Sequence, residues 1–290
     1  MIGKLVNSLT GTISVLRCLL FPRKWLVAGP YTGELGWEMM VWQGYVRAIG
    51  RRYSKVLVIS YPSSSVLYEN STFVAHDKTL IESGFGLGAM SRRSNQELIR
   101  NCVRNRLASK EYDIFLPNDL NRITRRLLLR PIFVRLKAKR SDATKFDIVF
   151  HFRDFERPGD KRKSYPHAYA NRLFMLCAQG GLTCVCIGHP DMSYCPEGCE
   201  DRRSLDMAVA IDVISNSHVI VGGSSSPMHL ASLCAKPIVV WIGDGADIER
   251  YISYWNPHKS PVYVVTDKSF QPAPEDVFEM LSIALKDVAK

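Results

Sequence analysis

The run Val219 to Leu233 (V-I-V-G-G-S-S-S-P-M-H-L-A-S-L) carries the residues best suited to chemistry. It reads as a buried strand, a loop of small residues, and a helix with His229 in its first turn. Small residues let backbone N–H groups close on an anion, and a helix N-terminus adds partial positive charge. Gly223, Ser224, Ser225, Ser226, Met228 and His229 are therefore candidate contacts for a diphosphate or a nucleotide ribose. The same residue types also build ordinary strand-to-helix turns. Cations stand upstream. Arg153, in His151-Phe152-Arg153-Asp154 at a strand end, suits bidentate contact with a phosphate; a salt bridge to Asp154 or Glu156 is its alternative use. Lys161, Arg162 and Lys163 follow on the next loop, where a solvated charge run is the alternative.

Those groups need positioning elements, and the sequence around them supplies alternating strands and helices. Lys163-Ser164-Tyr165-Pro166 precedes an amphipathic helix (Tyr169, Leu173, Leu176, Cys177) ending at Gly180-Gly181. The apolar strand Leu182 to Ile187 comes next, closed by Gly188, and a further strand runs from Pro237 to Ile242. The segment Lys163 to Gly188 resembles the K-x-W-P … G-x-x-V-x-x-x-G block of family 9 glycosyltransferases, which include the lipopolysaccharide heptosyltransferases. Val221 to Leu230 is similar to their nucleotide-sugar loop, and the K-P-I-V-V-W-I-G strand after it agrees. Ser224 stands where that family usually has Asp, and Ser226 where it has Gly. The resemblance covers most of residues 145–245. It implies two Rossmann-like domains facing a cleft (GT-B), a nucleotide-diphosphate sugar as donor, and Lys163 as a donor contact.

In that family the first strand-to-helix turn carries an acidic residue, with an Arg nine positions further on. Glu38 and Arg47 fit this spacing in Gly33-Glu34-Leu35-Gly36-Trp37-Glu38, given one inserted residue at Trp37. Glu38 is thus the expected base for the acceptor hydroxyl, with Glu34 the neighbouring carboxylate and Gly36, Trp37 and Arg47 on the acceptor side. Glu38 would equally serve as a first-turn helix acid. Trp37 reads either as a wall that keeps water from the sugar or as core. No Asp-x-Asp occurs in the chain, so the expected transfer is metal-independent, without cofactor. With one base and no clear nucleophile, it inverts the sugar by single displacement.

Along the whole chain, strands are expected at Trp25–Ala28, Lys55–Ser60 and Phe146–Phe152, and a helix at Glu38–Ile49. Weaker elements fall at 71–75, 95–108 and 112–116. Repeated βα units give an α/β fold with parallel sheets. Expected domains are an acceptor-side Rossmann-like unit over 1–141 and a donor-side unit over 142–272. A last helix, 274–288 within 273–290, crosses back to the first domain.

The 290 residues are 46% hydrophobic and 23% charged, an ordinary globular composition, but the net charge is +10. Such an excess suits an anionic partner: a glycolipid or glycan acceptor, a membrane surface, or DNA. The densest basic run, Arg122 to Arg140, reads as an amphipathic connecting helix with a solvated basic face, or as a surface that meets anionic lipid or a nucleic-acid backbone. Leu5 to Phe21 is too polar to span a membrane and reads as an amphipathic arm packed on the protein or resting on a membrane. With no cleavable leader apparent, the expected location is cytoplasmic, peripheral on the inner membrane face. Most of the eight cysteines read as reduced core thiols. Cys195 and Cys199, with His189, form a zinc set lacking a second supporting pair. Two other functions fit the same features: a GT-B enzyme acting on hydroxymethylated bases in phage DNA, and a non-catalytic nucleotide-sugar-binding protein. Neither glycine-rich turn spells G-x-G-x-x-G, which argues against a nicotinamide oxidoreductase.

Overall fold

A computed structural model of the chain describes residues 2–76, 99, 100, 103, 111–138, 145–155, 163–243 and 245–289, with 2–8 and 246 by backbone alone. Lys161, Arg162, most of the weak element at 95–108 and residues 142–144 lie outside the described residues. The chain divides into two compact units, Met1–Phe133 and Val134–Lys290.

The first unit begins with helix α1 (Ile2–Leu20) and holds a four-stranded sheet of β1 (Trp25–Ala28), β2 (Lys55–Ser60), β3 (Thr72–Ala75) and β4 (Tyr112–Phe115). The order is β3-β2-β1-β4, all parallel, with Trp25 opposite both Lys55 and Tyr112. Val27, Leu57 and Ile59 are fully buried, as expected where strand side chains are covered by packed elements. After β1 the chain turns into continuous helical backbone: α2 (Leu35–Trp37), a π-helical turn (Glu38–Trp42) and α3 (Gln43–Gly50). The π turn buries Glu38, Met39, Met40, Val41 and Trp42 in succession. A widened turn of this kind often marks a functional site.

The basic run corrects its expectation. Thr124–Leu128 is a single π-helical turn, and 129–138 is irregular chain without helix or strand. Pro131 explains the break: the residue before proline is disfavoured in the helical region, and Leu129 is already extended at φ −132°, ψ 139°. This segment docks by the Ile132 N–H on the Gly44 carbonyl. A Cβ on Gly44 would lie 2.8 Å from Pro131.

The second unit is built on β5 (Phe146–Arg153), β6 (Cys184–Cys186), β8 (Glu200–Asp201), β9 (Ser217–Gly223), β10 (Ile238–Ile242) and β11 (Val262–Thr266), in the order β11-β10-β9-β5-β6-β8, all parallel. β7 (Ser193–Tyr194) pairs antiparallel with the end of β5. Four helices belong to the same sheet: α4 (His167–Gln179), α5 (Met207–Ser215), α6 (Ser226–Leu233) and α8 (Pro274–Val288); a short helix, α7 (Gly245–Glu249), follows β10. The core stacks Phe150 on Phe152 (5.0 Å), Phe152 on Tyr165 (5.9 Å) and Tyr165 against Trp241 (4.5 Å). Val277, Leu281 and Ala284 of α8 are buried in this same core. The final helix thus buries its apolar face within the second unit.

Candidate donor and acceptor sites

The second unit gathers its polar groups at the carboxyl ends of three adjacent strands, β5, β9 and β10, the edge where open α/β sheets bind ligands. Gly222 and Gly223 end β9. A Cβ on Gly222 would sit 2.7 Å from the His151 carbonyl oxygen, and one on Gly223 2.8 Å from Trp241 Nε1. Glycine therefore lets β9 press against its neighbours and start α6 immediately. Ser224 is buried and donates its N–H to the Trp241 carbonyl (3.1 Å). Ser225, the residue before α6, is extended and shares a hydrogen bond with His151 Nδ1 (3.0 Å). Pro227 follows in the first turn, where a missing N–H costs nothing.

His229 is 4% exposed. Its ring stacks on Tyr251 (4.5 Å, 20°) and meets Trp255 edge-on (4.6 Å). Burial, followed by the charges of Arg250 and Lys163, pushes its pKa down to about 3, so the ring is neutral. Among the described residues His229 Nδ1 is buried with no hydrogen-bond partner, a costly state unless something else supplies one. His151 is neutral for the same main reason, its pKa lowered to about 4 by burial and then by Arg153. Arg153 is itself buried, its guanidinium 4.1 Å from the Phe155 ring centre. Lys163 is half-buried with Nζ 5.3 Å from the Phe270 ring. Ser226 is half-buried on the first turn of α6. Met228 departs from its expected role: it is fully buried, with Sδ against Gly222, and serves packing.

Tyr251 is a member that the sequence did not reveal. Its hydroxyl accepts the Ser225 N–H (3.2 Å), donates to Ser224 Oγ (3.3 Å), and its ring carries His229. The π-helical turn Arg250–Tyr254 places it there, and Arg250 lies over Trp255 (5.1 Å). The available signal was the cluster Arg250-Tyr251-Ile252-Ser253-Tyr254-Trp255, basic and aromatic, just after a strand end.

In the first unit the turn after β1 is tightly tethered. Gly29 has φ +103°, and a Cβ there would collide with the Ile59 carbonyl oxygen. The Tyr31 hydroxyl donates to the Glu34 carbonyl (2.7 Å) and the Tyr61 hydroxyl to the Gly33 carbonyl (2.8 Å). Glu38 is wholly buried and accepts from Ser60 Oγ, from Ser64 Oγ (2.7 Å) and from the Tyr68 hydroxyl (2.9 Å). Burial raises its pKa to about 7 against the opposing pull of those three hydroxyls. So placed, Glu38 has no surface with which to meet an acceptor, which counts against its expected role as base. Glu34 and Trp37 are half-buried on the same turn, and Gly36 is buried. Arg47 also has a structural use: Nε donates to Gln43 (2.9 Å) and the guanidinium to the Leu67 carbonyl, tying α3 to the 3-10 turn Pro62–Tyr68.

Solved structures similar to this chain include the ADP-heptose lipopolysaccharide heptosyltransferase II of Escherichia coli. It is 16% identical, with a TM-score of 0.58 over 92% of this chain and 100% of that one. The glycosyl transferase family 9 protein of Veillonella parvula is 10% identical, with a TM-score of 0.57 over 91% of this chain and 98% of that one. The chain has the fold of the family 9 glycosyltransferases. At these identities the likeness is one of fold. No protein-family model matches the chain, and no curated protein matches it.

Proposed function

We propose that this GT-B chain is a glycosyltransferase using a nucleotide-diphosphate sugar. The observation that carries the reading is the orphaned, buried Nδ1 of a neutral His229 in the first turn of α6, beside Ser224, Ser225 and Ser226. An α-helix N-terminus and a neutral imidazole together suit a phosphate or ribose oxygen. Arg153 and Lys163 are assigned to the leaving diphosphate, and Lys161 to the same loop. A shape-matched fixed cation stabilises departing negative charge without reorganisation. A nucleotide-diphosphate sugar is named for one protein of this fold, the ADP-heptose heptosyltransferase II of Escherichia coli.

On the acceptor side we assign Glu34 as the base, with Trp37 shielding the sugar and Gly36 shaping the turn. Glu38 and Arg47 hold that turn in place. With one base and no Asp-x-Asp, the transfer is an inverting displacement in which Arg, Lys and α6 neutralise the diphosphate without a metal. The acceptor is a lipid-linked or surface glycan. What favours it over DNA is α1, which buries Gly11, Thr12, Val15 and Cys18 and turns Leu9, Ile13, Leu16 and Leu20 outward beside Arg17. An apolar face with flanking cations suits the headgroup region of an anionic membrane; duplex DNA offers no partner for leucines. The setting implied is the cytoplasmic face of a membrane. Among the described residues no helix is long and apolar enough to cross one.

The test is a thermal-shift series with UDP-, GDP-, ADP-, CMP- and dTDP-sugars, no metal added. One selective donor should stabilise the protein by a few kcal/mol at saturation. His229→Phe, which keeps the stack on Tyr251, should weaken that donor about tenfold or more, the value of a hydrogen bond to a charged group. A chain indifferent to every nucleotide sugar would remove the donor assignment.

A further inference from the structure

Three cysteines converge in the second unit, none of them among the groups assigned above. The Cys186, Cys195 and Cys199 sulfurs lie within 4.8 Å of one another, and those of Cys186 and Cys199 are 3.6 Å apart. Cys186 is the last residue of β6 and is buried; Cys195 and Cys199 bracket the turn between β7 and β8 and are half-buried. That turn bends at Gly198, φ +83°.

Sulfurs around a tetrahedral zinc, each at about 2.3 Å, stand about 3.8 Å from one another. The Cys186–Cys199 separation of 3.6 Å is close to that value, and the Cys195 sulfur lies within 4.8 Å of both. We propose that Cys186, Cys195 and Cys199 bind a zinc ion that clasps the 195–199 turn to the end of β6, with water in the fourth position. Each thiol gives up its proton to solvent as its sulfur bonds the metal, and no electron changes hands. Partial exposure of two of the three ligands leaves an entry path. The ligand set differs from the one the sequence suggested. His189 Nδ1 accepts the Asp191 N–H (3.1 Å), and the third ligand comes from a core strand. On either side of the turn, Arg203 donates to the Pro190 carbonyl (3.1 Å) and pairs with Asp201 (2.7 Å), so the segment is already tied at its base. The readout is bound metal, independent of glycosyl transfer.

The experiment uses the intact chain, purified without chelator under reducing conditions. Elemental mass spectrometry should find about one zinc per chain. The reduced, stripped protein titrated with Co2+ should develop intense thiolate-to-cobalt charge-transfer absorption. Cys195→Ser and Cys199→Ser should bring both signals to background, while Cys234→Ser, a buried cysteine outside the cluster, keeps them. If a serine variant does not fold, Cys199→His, which retains a ligand, should restore zinc. The proposal is overturned if reduced, folded wild-type chain takes up neither metal. It is equally overturned if Cys195→Ser and Cys199→Ser keep the metal, or if Cys186 and Cys199 are isolated as a disulfide.

Discussion

Glu38 and His229 are both buried titratable groups, and burial moves them in opposite directions. A carboxyl raised to about 7 keeps its proton in the folded chain after the unfolded chain has released it near 4.5. Between those values the folded state holds the extra proton, so stability falls as pH rises, by up to about 1.4 kcal/mol per pH unit. Glu38→Gln should remove that slope in urea melts at several pH values and leave turnover within a factor of a few. Glu34→Gln should lower turnover by about a hundredfold or more, the scale of a lost general base. The reverse pattern would return the base role to Glu38. The histidines act oppositely. With folded values of about 3 for His229 and about 4 for His151, both stay neutral while the unfolded chain binds protons below 6.5. Their contribution is complete above pH 6.5 and declines as pH falls toward 4. His229→Phe should flatten part of that acid loss.

At the scale of elements, the junction of β9 with α6 depends on absent side chains. Gly222→Ala forces a methyl against the His151 carbonyl and Met228. Overpacking of this kind costs about 1–3 kcal/mol, so the midpoint of chemical unfolding should drop, and donor affinity with it, because β9 sets the Ser224–Ser226 loop. Unfolding at the wild-type midpoint would show that the junction has slack. In the same way α1 is seated by Gly11, whose Cβ would stand 3.1 Å from Asp119 Cα, and by Asn121 donating to Thr12 (2.9 Å). Asp113, buried in β4, accepts from Tyr53 (3.1 Å) and pairs with Arg17 (3.3 Å). The outward leucines of α1 are therefore presented by a fixed helix.

For the whole molecule, the +10 charge and that apolar face together predict membrane affinity. Co-sedimentation with vesicles containing anionic lipid should recover the protein, and neutral vesicles should not. Changing Leu9, Ile13 and Leu20 to Ser should reduce recovery several-fold, since about 0.8 kcal/mol is lost per CH₂ no longer buried. Recovery unchanged by these substitutions, with tight salt-sensitive binding to duplex DNA instead, would favour the nucleic-acid acceptor.

The sequence by itself determined the alternation of strands and helices. Apolar runs such as Lys55–Ser60 and the amphipathic Pro274–Val288 are local signals, and both elements form over those residues. It also located the glycine–serine loop before α6, since small residues at a strand end are legible without knowing their neighbours. Burial and partnership were decided only by the tertiary structure. Spacing singled out Glu38 over Glu34 as the base, but says nothing of burial; β2 and the turn after it bring Ser60, Ser64 and Tyr68 onto Glu38. Tyr251 reaches His229 from 22 positions further along the chain, and Cys186 joins Cys195 and Cys199 because β6 ends where their turn folds back. Hydrophobic periodicity reports which way a side chain faces, whereas desolvation and hydrogen bonding depend on what the rest of the chain places beside it.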